Sequence, residues 1–150
     1  MMIITLKDND SELMPIRVHE GDAGMDLRSS HDITIHPGAV EVVNTGVKIV
    51  IPYGYVGLAF SRSGHGKPNI RVSLSNRVGV IDHQYRGYIQ LMLENNGQED
   101  FRIKKYDRVA QLAIIPVWLA EVCSVSEDYF EQHYAQTNRG SAGFGSTGNK

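Results

Sequence analysis

The sequence predicts an all-β fold. Three observations lead there: apolar residues alternate with polar ones at period two, turn-forming residues separate the runs at short intervals, and no stretch sustains a long helical period. Many short strands with close turns indicate a sandwich or a barrel rather than alternating strand and helix units.

Taken in chain order, Val47, Ile49 and Ile51 fall on one side of a strand, and Tyr55 to Phe60 read as the next. Val78 to Ile81 form a short apolar run. Ile89, Leu91 and Leu93 share a face with Gln90 and Glu94 opposite, and Phe101 with Ile103 opposes Arg102 and Lys104. Pro37-Gly38, Asn44-Thr45-Gly46, Pro52-Tyr53-Gly54, Asn96-Gly97 and Tyr106-Asp107 supply the turns between them. The stretch Ser126 to Tyr134 fits either a turn or two of helix or a surface connection. After about Gln136 the only large apolar residue is Phe144, so this tail buries too little surface to offset its ordering entropy. The expected organisation is a β domain over residues 1–136 and a flexible glycine-rich arm over 137–150.

A chain of 150 residues with 41% hydrophobic content suffices for one domain with a real core. Its 15 basic and 17 acidic residues leave a net charge of −2, which argues against a broad surface for direct nucleic-acid binding. A small anionic ligand needs only a few local donors and stays compatible. The lone Cys123 permits no internal disulfide, fits a reducing compartment, and is expected to behave as a small buried hydrophobe. The opening residues lack the apolar core of a secretory signal, and no run approaches the roughly 20 apolar residues that span a bilayer. The expectation is a soluble, cytoplasmic protein with no membrane partner.

Polar, glycine-containing segments interrupt the strands. In Asp22-Ala23-Gly24-Met25-Asp26, a glycine allows close backbone approach beside a carboxylate. Ser61-Arg62-Ser63-Gly64-His65-Gly66-Lys67 offers cations, hydroxyls and flexible backbone, the ingredients of a phosphate cradle, without spelling a P-loop. In Asn76-Arg77-Val78-Gly79-Val80-Ile81-Asp82-His83-Gln84-Tyr85, an apolar run delivers Asp82 into a polar turn. Partial desolvation there would raise its pKa and make it a better proton acceptor near neutrality. The bland alternative is a hairpin aspartate capping its own turn. The six histidines show no metal-ligand spacing. Gly143 to Gly148 formally spell G-x-G-x-x-G, but no room remains for the helix and acidic residue of a dinucleotide-binding unit.

In this order the segments resemble the five motifs of the trimeric dUTP pyrophosphatase (dUTPase) family. The matches are Ala23-Gly24-Met25-Asp26-Leu27, Arg62-Ser63-Gly64, Gly79-Val80-Ile81-Asp82 with Tyr85-Arg86-Gly87, Arg108-Val109-Ala110-Gln111-Leu112, and Arg139-Gly140 with Gly143-Phe144-Gly145-Ser146-Thr147-Gly148. The resemblance implies a single-domain distorted jelly-roll or β-barrel that assembles as a homotrimer with active sites shared between subunits. It implies hydrolysis of dUTP to dUMP and pyrophosphate with Mg²⁺, which limits uracil incorporation into DNA and supplies dUMP for dTTP synthesis.

By the same match, Asp82 is the general base and Asp26 acts on the metal through a water. Arg62, Ser63, Gly64 and Gln111 contact phosphates, while Asn76 and Gly79 belong to the hairpin that reads uracil and Tyr85 packs on the deoxyribose. The arm contributes Arg139, Ser146 and Thr147 to the phosphates, Phe144 to stacking on uracil, and Gly145 to the fold of the backbone over them. His65, Gln84 and Tyr88 depart from the family's commoner residues. The rivals are a dCTP deaminase of the same fold, a dUTP-sensing regulatory protein, and a structural jelly-roll that would leave the polar segments unexplained.

Overall fold

The computed structural model describes residues 4–5 and 10–142. The chain divides into two compact units, Met1–Trp118 and Leu119–Lys150.

The first unit is built from short antiparallel strands, as the period-two patterning requires. These are β1 (Ile4–Thr5), β2 (Met25–Arg28), β3 (Ile33–Ile35), β4 (Val40–Asn44), β5 (Ile49–Val50), β6 (Tyr55–Ser61), β7 (Val72–Leu74), β8 (Val78–Ile81), β9 (Gln90–Asn95), β10 (Phe101–Ile103) and β11 (Arg108–Pro116). They form a four-stranded sheet β2-β11-β6-β8, a three-stranded sheet β4-β9-β7, and the pairs β1-β5 and β3-β10. Almost every neighbour is distant in sequence, the order of a distorted jelly-roll. A continuous core unites them, with Leu27, Ala59 and Leu112 from the first sheet and Val43, Leu74, Leu91 and Leu93 from the second.

The expected alternation holds in each run, though pairing is shorter than the pattern. Val47, Ile49 and Ile51 are all buried while only Ile49–Val50 forms a strand. Pro37-Gly38, Gly46 and Gly54 turn with φ of +76°, +69° and +79° at the glycines, the left-handed region that suits a residue without Cβ.

Two polar features fix loops onto this core. The fully buried Asn95 donates from Nδ2 to the carbonyls of Ile35 and Glu99 at 2.8 Å each, and accepts from the Gly97 N–H at 2.9 Å. At the other end, Tyr106 takes a φ of +75°. Its N–H donates to the Ser29 carbonyl at 2.8 Å, and the Ser29 N–H donates to the Asp107 carbonyl at 2.9 Å. The turn before β11 is thereby tied to the end of β2, which sets Arg108 against the Asp26 strand.

In the second unit the ambiguous stretch is a helix, α1 (Glu127–His133). Ser126 caps it by accepting the Tyr129 N–H at 3.2 Å, and acidic residues fill its first turn. Cys123 is exposed rather than buried; it lies in a segment without regular structure that packs no core around it. The expected arm over 137–150 falls within this unit, and residues 143–150 lie outside the described ones. Among the described residues no helix is long and apolar enough to cross a membrane.

Replacing Asn95 by alanine leaves three backbone groups without these partners. An orphaned buried polar group costs about 1–3 kcal/mol, so Asn95→Ala is expected to lower the urea midpoint with an unchanged m-value. A midpoint equal to that of the parent would refute the role of this side chain.

Candidate functional site

Across the four-stranded sheet, residues in register share a face. Asp26 pairs with Gln111, Gln111 with Phe60, and Phe60 with Val78. This row points away from the core, whereas the adjacent row of Met25, Leu112, Ala59 and Gly79 points inward. Two clefts form on these opposite faces.

The outer cleft, about 410 Å³, is lined by Asp26, Arg62, Arg108, Gln111, Gly24 and the segment from Val18 to Ala23. Asp26 is 6% exposed and lies between two guanidiniums, with Arg62 Nε at 3.4 Å and Arg108 Nη1 at 3.2 Å. A regular strand would send Arg108 and Gln111 to opposite faces. A register shift between Arg108 and Ala110 buries Val109 and Ala110 together and so brings both polar side chains to the cleft. Gly24 makes room for them: a Cβ there would stand 3.3 Å from the Gln111 Cβ.

Arg62 is fixed by donating from Nη1 to the Arg108 carbonyl at 3.2 Å. Asp26 Oδ1 and Arg62 Nε, both buried, have no hydrogen-bond partner among the described residues. The Asp26 oxygen remains able to accept from a donor such as water, and the Arg62 N–H remains able to donate to a water or a ligand oxygen. Beyond Arg62 a tight turn, Ser63–Gly66, closes with the His65 N–H donating to the Arg62 carbonyl at 3.0 Å. Ser63 is exposed, and the space where a Cβ of Gly64 would stand is open; neither lines the outer cleft.

The inner cleft, about 340 Å³, lies at the mouth between the two larger sheets. Asn76, Gly79 and Tyr85 meet in it, together with Ala59, Leu74, Ile81, Ile89 and Leu91. A Cβ on Gly79 would stand 3.3 Å from that of Ala59 and intrude on the space. The turn Asp82–Tyr85 is closed by the Tyr85 N–H to the Asp82 carbonyl at 3.1 Å, and Arg86 holds it by donating to the carbonyls of His83 and Tyr85. Gly87 was not singled out by sequence as a site residue. A Cβ there would stand 2.6 Å from Tyr85 Cζ, so only glycine lets the Tyr85 ring lie where it does.

Asp82 follows Ile81 directly but is exposed. The partial desolvation expected from the apolar run is not supplied by these strands, because β8 is an edge strand that buries Ile81 and leaves Val80 65% exposed. Arg139 lies in the second unit, where its Nε donates to the Ala142 carbonyl at 2.9 Å. Phe144, Gly145, Ser146 and Thr147 lie outside the described residues.

A sequence model of the dUTPase family matches residues 10–148. This chain belongs to the dUTPase family. It is 43% identical to the deoxyuridine 5'-triphosphate nucleotidohydrolase of Mycobacterium sp. (strain JLS) over 93% of this chain and 90% of that protein. It resembles the dUTPase of Staphylococcus bacteriophage 80alpha solved with dUpNHpp, at a TM-score of 0.84, 29% identity and 98% coverage of each chain. It also resembles a variant dUTPase of phage phi11 of S. aureus, a structure described for its coordination of a structural Mg(II) ion. That likeness has a TM-score of 0.76 and 27% identity, over 85% of this chain and 98% of the phage chain.

His65, where this family member departs from the commoner pattern, sits edge-on to Phe101 with ring centroids 5.2 Å apart. Burial, and then the Arg62 charge, hold its pKa below the ordinary histidine value, with Asp107 opposing. The native state therefore favours the neutral ring, while the unfolded chain takes up a proton as pH falls through about 6.5. Stability from this site is full above that pH, declines below it, and levels off under the native pKa. The stability lost between pH 7.5 and 5.5 should be smaller in His65→Leu than in the parent; equal losses would remove His65 from the account.

Proposed function

We propose that this chain hydrolyses dUTP to dUMP and pyrophosphate, with Asp82 as the general base for a water that attacks the α-phosphorus. One observation carries most weight. A cleft near the lower end of ligand-pocket sizes brings Asn76, Gly79 and Tyr85 together and ends one residue before an exposed carboxylate. Base reading, sugar checking and water activation then share one turn.

The edge position of β8 suits it to the base. Paired among the described residues with β6 alone, it keeps backbone N–H and C=O groups on its other side that would hydrogen-bond the uracil edge. A site built for one donor and acceptor pattern rejects the reversed pattern of cytosine. Tyr85 would lie against the deoxyribose and leave no room for a 2'-hydroxyl. Asp82 would accept a proton from the attacking water and hold its lone pair toward phosphorus. Arg62 and Gln111 would bind phosphate oxygens in the outer cleft, with Ser63 and Gly64 offering hydroxyl and backbone donors beside them.

The carboxylate oxygen Oδ1 of Asp26 fits a water carried by Mg²⁺, since it is buried without a hydrogen-bond partner among the described residues and its residue lines the cleft. Among the described residues no three His, Cys, Asp or Glu side chains cluster as a metal cage. The ion would arrive largely coordinated by phosphates and water, as Mg²⁺ commonly is. When bound it neutralises charge on the triphosphate and orients it.

A homotrimer with shared sites is part of this proposal. The two clefts share no lining residue and face opposite sides of one sheet, the outer one centred on β2 and β11 and the inner one on β6 and β8. A base held in one chain's inner cleft would reach the outer cleft of a neighbour more directly than its own. The exposed Val40, Val42 and Met92 of β4 and β9 would supply apolar contact between subunits. The arm from Arg139 onward would close over a bound nucleotide and exclude bulk water. A cytoplasmic setting agrees with the free, exposed thiol of Cys123, and the product dUMP would feed dTTP synthesis while DNA is kept free of uracil.

Pyrophosphate release should be selective for dUTP over dCTP, dTTP and UTP. Asp82→Asn is expected to lower kcat by about 10²–10⁴-fold with little change in dUTP affinity; near-parental turnover would remove Asp82 from the role of base. Ammonia release from dCTP would overturn the whole assignment. Deleting residues 139–150 should leave a folded protein that binds dUTP weakly and turns it over poorly, and full activity after that deletion would exclude a lid.

A further inference from the structure

Tyr85 is held through Gly87 and Tyr88, which do not line the inner cleft. Its hydroxyl donates to the Tyr88 carbonyl at 2.8 Å, and its ring lies over Gly87. The peptide that carries this carbonyl is itself fixed. On its far side, the Ile89 N–H donates to the Val47 carbonyl at 2.8 Å, and the Ile89 carbonyl accepts from the Thr45 N–H at 3.1 Å and the Thr45 hydroxyl at 2.8 Å. Hydrogen bonds in such a line polarise one another, so the hydroxyl docks on an acceptor that is strengthened and held from its far side.

One part of the anchor is made by side chains. The Lys48 ammonium stands 4.5 Å from the centroid of the Tyr88 ring, a cation–π geometry. Lys48 continues from Val47, so the same short segment grips Tyr88 through its side chain and Ile89 through its backbone. Tyr88 is one of the residues at which this chain departs from the commoner family pattern. It is 43% exposed and contributes little to the core, so its contact with Lys48 is better suited to positioning than to folding.

We infer that Lys48 and Tyr88 are positioning residues for Tyr85, and that through it they set the selection of deoxyribose over ribose. The inference rests on the reading of Tyr85 as the residue that lies against the sugar. A group that excludes a single hydroxyl must be held to within about 0.5 Å. Three contacts restrain the Tyr85 ring toward that precision: its own hydroxyl bond, the fixed Tyr88–Ile89 peptide and the Lys48–Tyr88 pair. Without the cation–π contact the acceptor keeps its backbone hydrogen bond at Ile89 but Tyr88 loses its side-chain restraint, and the Tyr85 ring gains the small freedom that admits a 2'-hydroxyl.

The test compares kcat/KM for dUTP with kcat/KM for UTP in the full-length protein, with the melting temperature measured alongside. Lys48→Met and Tyr88→Leu are expected to lower the dUTP/UTP ratio by about two- to five-fold, the range expected for an exposed cation–π pair, chiefly through faster UTP turnover. Tyr88→Phe and Lys48→Arg preserve ring and cation and should keep the parental ratio. Tyr85→Leu calibrates the scale and should reduce the ratio further. If Tyr85→Leu lowers the ratio while both Lys48→Met and Tyr88→Leu leave it unchanged, the positioning role is overturned and the sugar-checking role stands. If Tyr85→Leu itself leaves the ratio unchanged, both fall. Should Tyr88→Leu not fold, Lys48→Met decides alone.

Discussion

The structure turns on a carboxylate held between two guanidiniums. Asp26 lies on β2, Arg62 follows β6 and Arg108 opens β11, so one anion connects strands that are far apart in sequence and adjacent in the sheet. Its own burial would be costly without partners; two cations offset that cost, and in return their forks are fixed at the rim of a cleft. Asp26 Oδ1 and Arg62 Nε, paired in charge but without a hydrogen-bond partner among the described residues, make the cluster receptive. It is neutralised enough to be buried and unsatisfied enough to take further hydrogen bonds.

That cluster depends on backbone devices around it. The bulge at Val109 lets Arg108 and Gln111 share the cleft, and the left-handed Tyr106 with Asp107, both hydrogen-bonded to Ser29, sets where β11 begins. Gly24 removes the one Cβ that would crowd Gln111. The second cleft uses the opposite device, a strand left at the sheet edge. Because β8 has one neighbour among the described residues, its other side keeps backbone polar groups outside the sheet, and the turn that follows can carry Asp82 into solvent. An interior strand could do neither.

The inner cleft was the more legible in sequence. Gly79, Asp82 and Tyr85 lie within a few residues of one another, and alternation plus turn chemistry is enough to place such residues on one hairpin. The union of Asp26, Arg62 and Gln111 depends on the order β2-β11-β6, a non-local pairing that local patterns do not encode; only the resemblance to known motifs placed them together. Arg108-Val109-Ala110-Gln111 reads as ordinary sequence, and the bulge that gives it meaning is a property of the partner strands. The desolvation expected at Asp82 failed because an apolar run implies burial only when both faces are covered. Cys123 failed for a related reason, since a lone cysteine says nothing about whether a core exists around it.

The division of the site between two faces of one sheet also bears on why an enzyme of this size would work as an assembly. A core made from strands that are mostly four residues or shorter leaves little depth for a pocket that could enclose both a base and a triphosphate. Placing the base cleft at a sheet edge and the phosphate cleft on an outer face uses surface that the fold already has, and each can be built without weakening the core between them. On the proposed roles, their separation would become a requirement for a neighbour: base recognition in one subunit would be linked to phosphate binding in another. On that arrangement, catalysis would depend on assembly, and a subunit with both clefts intact would still be inactive alone.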